Sequence, residues 1–178
     1  ELIKSFKKIA VDQSSEEKRQ FNVNAYIKEI LLSLKPKLKK TNHQIELRCE
    51  EDLILYSYPG TFSQIITNFV FNSLIHGFNE KKNGKIIIKC CLFKNQFILR
   101  YYDNGKGIQK DAVKRIFEPF FTTNRIGGGT GLGLHLVYNM ITQTFKGRIR
   151  VISRPGFGTL FKISIPCHEI CVKNNSSP

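Results

Sequence analysis

The sequence predicts an α/β two-layer sandwich, with about three helices packed on one face of a mixed, mostly antiparallel sheet. Three observations lead there. Lys85–Phe93 and Gln96–Asp103 are β-rich runs separated by two residues, the pattern of a hairpin. Arg148–Ser153 and Thr159–Ile165 form a second strand pair around the turn Pro155-Gly-Phe-Gly158. Two longer segments, Thr61–Phe78 and Leu132–Thr144, carry apolar residues at helical spacing. Strands and helices alternate in mixed order, which suits helices covering one side of a sheet.

The remaining elements follow in order. Leu2, Ile3, Phe6, Ile9 and Ala10 recur at helical spacing and read as the last turns of an amphipathic helix that needs a partner. Asp12–Lys18 reads as a polar linker. Phe21-Asn-Val is a short strand, and Asn24 is the expected cap of a helix over 25–35 that stops near Pro36. Gln44–Cys49 alternates like a strand, and Leu53–Tyr56 is a second short one. Ala112–Phe117 is a short helix. Glu118–Thr130 is a long loop, and the polar tail after Pro166 is expected to fray. The expected organisation is an arm and linker over 1–20, one domain over 21–166 and a flexible tail over 167–178.

Bulk composition narrows the class. With 178 residues and 41% hydrophobic content, one domain with a real core is expected. No apolar run is long enough to span a bilayer, and no signal peptide opens the chain. Glu1 is not a natural start, so the chain is expected to belong to a longer protein, with any membrane anchor outside it. Five cysteines without metal-ligand spacing suggest reduced thiols in the cytoplasm. The net charge of +14 favours polyanions, yet no nucleic-acid recognition motif accompanies it, so no specific nucleic-acid partner is expected.

Four segments carry chemistry. In the helix around residue 68, Gln64, Asn68, Asn72 and His76 fall four apart on one stripe of an otherwise apolar rod. Buried unpaired amides cost roughly 1–3 kcal/mol each, so the stripe needs partners. An asparagine carbonyl is a hard oxygen ligand suited to Mg²⁺ beside phosphates. The plainer alternative is a polar stripe facing solvent.

Asp103 ends a strand whose Phe97, Leu99 and Tyr101 share its parity, so its carboxylate should point inward. Gly105 and Gly107 let the backbone approach a flat ring, and the carboxylate can accept an adenine amine; a simple Asp-Asn-Gly turn is the alternative. Phe117-Glu-Pro-Phe-Phe-Thr-Thr123 joins phenylalanine anchors to a polar loop. There Thr122, Thr123 and Arg125 can reach phosphates, with Arg125 offsetting charge on a transferred phosphoryl group. Phe117, Phe120 and Phe121 would pin its root. Gly127, Gly128, Gly129, Gly131 and Gly133 precede and enter a helix, whose free amides suit phosphate. It is not a Walker A loop, since no Gly-Lys-Ser/Thr follows. Thr159 shares parity with Phe161, Ile163 and Ile165, so its hydroxyl should face inward beside Asp103.

The four segments, in this order and with the wording Ile116-Phe-Glu-Pro-Phe-Phe-Thr-Thr…Gly127-Gly-Gly-Thr-Gly-Leu-Gly-Leu134, resemble the N, G1, F and G2 boxes of the ATP-binding domain of sensor histidine kinases, within the GHKL superfamily. The resemblance covers about residues 21–166, and residues 1–20 resemble the end of the dimerization and phosphotransfer domain. It implies a Bergerat-type fold that binds ATP or ADP with Mg²⁺. By matching position, Asn72 is the metal ligand and Asn68 supports metal or phosphates, with His76 one turn further on. Asp103 reads the adenine amine, Gly105 and Gly107 shape that pocket, and Ile108 packs on the base. Gly127–Leu134, with Thr130 and Leu132 among them, is the phosphate loop and lid hinge, and Thr159 supports the adenine contact.

One departure is Ile75, where many members carry Lys or Arg. None of His43, His76, His135 and His168 has the setting of the family's phosphoaccepting histidine. The expected reaction is transfer of the ATP γ-phosphate to a histidine upstream of Glu1, then relay to a response regulator aspartate. The chain's own dimerization domain and a receiver domain are the implied partners, with a homodimeric whole protein and a monomeric or weakly dimeric 178-residue chain. A GHKL ATPase competes with this reading, although the helix over 61–78 lacks the glutamate such enzymes use to activate water. A nucleotide-binding regulatory module without kinase activity, an anti-sigma-type serine kinase and, last, a polyanion-binding domain compete as well.

Overall fold

In the computed structural model, the described residues are 9, 11–12, 17–39, 41–78, 83–123 and 130–170. Five strands form one sheet: β2 (Gln44–Cys49), β4 (Lys85–Phe93), β5 (Gln96–Asp103), β6 (Arg148–Arg154) and β7 (Gly158–Pro166). Their order across the sheet is β2-β4-β5-β7-β6. Only the β2–β4 pair is parallel; the other three pairs are antiparallel. β1 (Arg19–Asn22) and β3 (Ile54–Ser57) pair separately, an addition that two short strands read singly did not disclose.

Alternation decides which face is covered. Ile86, Ile88, Leu99, Tyr101, Phe161 and Ile163 point inward and are at most 3% exposed. Against them pack α1 (Val23–Leu38), α2 (Pro59–Asn72) and α4 (Gly133–Asn139), with Ile27, Ile30, Ile66, Phe69, Val70 and Val137 in the core. Phe69 lies between the rings of Tyr101 and Phe161, with centroids 5.1 and 4.6 Å away. That anchors α2 over β5 and β7, the strands that carry Asp103 and Thr159.

Local chemistry explains several departures from expectation. α1 is capped by Asn22, whose side chain accepts from the Ala25 amide at 2.8 Å. Asn24 is instead buried and donates to the Cys49 carbonyl at 2.7 Å. α1 runs through Pro36 rather than stopping there. The short helix α3 is Lys110–Val113, ahead of the expected start at Ala112. Both long helices end in a widened π turn, Ser73–Gly77 after α2 and Met140–Thr144 after α4. Rather than fraying at Pro166, the chain makes one more helical turn, α5 (Cys167–Ile170), and buries Ile170. Ile9 also joins the core, and Asp12 pairs with Arg19 at 2.7 Å. None of the helices among the described residues is long and apolar enough to cross a membrane.

Candidate nucleotide site

A cavity of about 580 Å³ opens where α2 and its π turn, the end of β5, the start of β7 and the start of α4 converge. Its walls include Asn68, Asn72, His76, Asp103, Gly107, Ile108, Thr122, Thr123, Thr130, Gly131, Gly133, Leu134 and Thr159. All of these were expected from the sequence. Gly105 lies behind the wall, where its amide donates to Asp103 Oδ1 at 2.9 Å. Leu132 precedes α4 as its cap. Arg125, Gly127, Gly128 and Gly129 lie outside the described residues.

The strand end of the cavity is built by register. Asp103 and Thr159 are direct cross-strand partners in the antiparallel β5–β7 pair, and both are buried. Asp103 Oδ2 accepts from Ser73 Oγ at 3.0 Å. That proton being spent, Tyr101 must donate to Ser73 Oγ, 2.9 Å away. Hydroxyls from the π turn and the strand therefore hold the carboxylate in one orientation. Ser153 acts similarly for Thr159. Its hydroxyl donates to the Gly158 carbonyl at 2.7 Å and accepts from the Ile108 amide at 2.9 Å. Thr159 Oγ1, at 3.0 Å, is then the donor to Ser153 and keeps its lone pairs for the cavity. Gly107 must be glycine here: its φ is +73°, and a Cβ would come within 2.0 Å of the Arg154 carbonyl.

The helix end is different. Asn68 Nδ2 donates to the Gln64 carbonyl at 2.9 Å, which fixes the amide and leaves its oxygen toward Gly133. A Cβ at Gly133 would stand 2.7 Å from that oxygen, so a larger residue there would push the Asn68 amide out of this position. Asn72 Nδ2 and His76 Nδ1 are buried without a hydrogen-bond partner among the described residues. Burial, then the nearby Lys106 charge, hold the His76 imidazole below its ordinary pKa, so the ring is neutral at pH 7. Asparagine amide oxygens fit a Mg²⁺ that takes most of its ligands from phosphate and water. Unpartnered among the described residues, Asn72 Nδ2 is a donor and suits an acceptor such as a phosphate oxygen.

The lid root is only partly as expected. Phe117 and Phe121 pack on the core, but Phe120 is 65% exposed, with φ +63°. Its backbone, not its ring, is what meets Gly131. His135, which no site role singled out, donates from Nδ1 to the Phe117 carbonyl at 3.0 Å and ties α4 to this segment. Sequence reasoning also missed Ser73, Ser153 and Lys106. Lys106 lines the cavity from the loop after β5, where a lysine between glycines reads as a solvent residue. Ile75 lines it as well and brings no charge.

The chain matches the family model described as histidine kinase-, DNA gyrase B-, and HSP90-like ATPase over residues 58–169. It is 31% identical over 149 residues to sporulation kinase E of Bacillus subtilis, covering 83% of this chain and 20% of that protein. With signal transduction histidine-protein kinase AtoS of Escherichia coli the identity is 38% over 104 residues, covering 58% and 16%. The catalytic domain of histidine kinase ThkA superposes with a TM-score of 0.73 at 30% identity, covering 84% of this chain and 95% of that one. Histidine kinase ThkA in complex with response regulator protein TrrA gives 0.69 at 26% identity, covering 92% and 47%. The chain spans 20% or less of the length of the curated relatives described.

Proposed function

The chain belongs to the histidine kinase-, DNA gyrase B-, and HSP90-like ATPase family, as an ATP-binding domain of the sensor histidine kinase kind, and we propose that it catalyses transfer of the ATP γ-phosphate to a histidine outside these 178 residues. The observation that carries this reading is the meeting of Asn72, Asp103, Thr159 and the Gly131–Leu134 segment in one cavity. Its volume suits a nucleotide.

In this reading Asp103 accepts from the adenine exocyclic amine, and Thr159 presents an acceptor beside it. Gly107 and Ile108 bound the ring. Asn72, supported by Asn68, holds Mg²⁺ through its amide oxygen. When bound, that ion offsets charge on the β and γ phosphates. Thr122, Thr123 and Thr130 offer hydroxyls toward the phosphates, and Lys106 supplies a positive charge that Ile75 does not. Arg125 and Gly127–Gly129 remain candidates for the lid. This domain positions and neutralises charge rather than forming a covalent bond to phosphate. Asp103 is the single acid lining the cavity among the described residues, and the Ser73 contact engages it. Among the described residues that leaves no carboxylate lining the cavity free to activate water, which favours the kinase over the ATPase alternative.

The partners that fit are a dimerization and phosphotransfer domain of the same protein and a response regulator receiver, within a dimeric whole protein. The test is incubation with Mg-ATP and that histidine-bearing domain supplied separately. Acid-labile phosphate on the added domain, lost with Asp103→Ala, is the expected result. Steady release of inorganic phosphate with the acceptor unlabelled would favour an ATPase. Absence of nucleotide binding would remove both.

A further inference from the structure

The face of the sheet turned away from the helices carries a line of cations. Arg48 pairs in register with Lys89, Lys89 with Arg100, Arg100 with Lys162, and Lys162 with Arg150. The row therefore crosses all five strands, one cation from each. Neighbouring strands lie about 4.8 Å apart, so the row is about 19 Å long. Like charges directly opposite one another destabilise a sheet. Arg48 is paired with Glu46. No ion pair engages Lys89, Arg100, Lys162 or Arg150 among the described residues. Glu46, which also holds Lys85 at 2.9 Å, is the only acid on this face of the five strands.

Next to the cations runs an apolar row in the same register, Ile87, Tyr102, Leu160 and Ile152. Ile152 is 63% exposed, and Phe157 at the adjoining turn is 77% exposed. Phe93, 60% exposed on the same face, stands at the other end of β4. The Phe157 carbonyl accepts from Tyr102 OH at 3.4 Å, which sets that turn over this face.

We propose that this face docks on an anionic lipid bilayer, with the cation row over the headgroup phosphates and Phe93, Ile152 and Phe157 at interfacial depth. Three features select a bilayer among polyanions. The cation row lies on an exposed stretch of sheet, not in a groove that tracks a nucleic-acid backbone, although Ile98, two residues from Arg100 on the same face, is buried. The two most exposed rings on this face, Phe93 and Phe157, stand at its opposite ends rather than as successive platforms along the cation row, whereas single-stranded nucleic acid is held by a succession of stacking rings. Mobile lipid anions collect under whatever spacing a protein presents, so no matching row of acids is needed. Docking here leaves the nucleotide cavity, on the helix side of the sheet, open.

The test is co-sedimentation of the full chain with vesicles of phosphatidylcholine alone or mixed equally with phosphatidylglycerol. Binding is expected only to the mixed vesicles and is expected to weaken at high salt. Replacing Lys89, Arg100, Lys162 and Arg150 together by Gln should lower binding at least about tenfold while ADP binding is retained. Replacing Lys28, Lys35, Lys110 and Lys114 by Gln removes the same charge elsewhere and should change binding less than about threefold. Equal losses in the two variants would reduce the effect to net charge and overturn the proposal. So would equal binding to phosphatidylcholine alone, or capture of a single-stranded oligonucleotide without vesicle binding.

Discussion

At the strand-built end of the cavity, Asp103 and Thr159 are held by Ser73, Gly105 and Ser153 through contacts of 2.9–3.0 Å. At the helix-built end, Asn72 Nδ2 and His76 Nδ1 are buried with no such partner among the described residues. The first end is organised before any ligand arrives, because strand register and hydroxyl relays fix it. The second has unspent polar groups, which cost stability until something binds. On the proposed assignment, a site divided this way would choose its base rigidly and adapt to metal and phosphates.

The largest expected effect tests the rigid end. Asp103→Ala should weaken ADP binding about 100-fold, because a charge-assisted hydrogen bond is lost and the Ser73 donor is left unpaired. Asp103→Asn should weaken binding strongly too, while better preserving the fold. Calorimetric titration beside a thermal melt separates the two effects, and affinity within threefold of wild type for both variants would break the comparison. Next in size, Gly107→Ala should cost about 1–2 kcal/mol or more in urea unfolding, because it strains a left-handed residue and meets a fixed carbonyl. Gly133→Ala should cost less in stability, since the obstructing Asn68 amide can swing, and should act mainly on Mg-nucleotide affinity.

Asn72→Ala probes the unspent end. It should lower affinity about tenfold with Mg²⁺ and little without it, and leave stability equal or higher by about 1 kcal/mol. A clear loss of stability would mean that the amide is already satisfied. The smallest effect is in pH. His76 and His43 have pKa values lowered from 6.5 in the fold, so on acidification the unfolded chain takes up protons before the native one. Stability should therefore fall as pH drops from 6.5 toward the lowered values and be insensitive to these groups above pH 7.5. His76→Gln should flatten part of that slope in urea titrations at pH 5.5 and 7.5.

The rigid end was the more legible in sequence, since period-two alternation alone sets Asp103 and Thr159 inward on their strands. What it could not give was the register that pairs them, or the Ser73–Tyr101 relay, which joins a helix end to a strand. The asparagine stripe was visible from four-residue spacing, but the π turn that brings Ser73 under Asp103 has no marker in residue type. Asn22 rather than Asn24 caps α1 because both are good cap residues and only the packing of Asn24 against the Cys49 carbonyl decides between them. Lys106 went unnoticed because nothing in a Gly-Lys-Gly turn says which way the lysine leans.

The direct pairing of Asp103 with Thr159 has a consequence for biogenesis. A one-residue slip between β5 and β7 would turn one of the two side chains to the opposite face and break up this corner of the cavity while leaving the strands able to pair. With Asp103 and Thr159 holding the base as proposed, nucleotide would bind only chains whose central sheet has closed in the correct alignment, and by mass action would draw the population toward them. The ligand would thus double as a quality inspector during maturation.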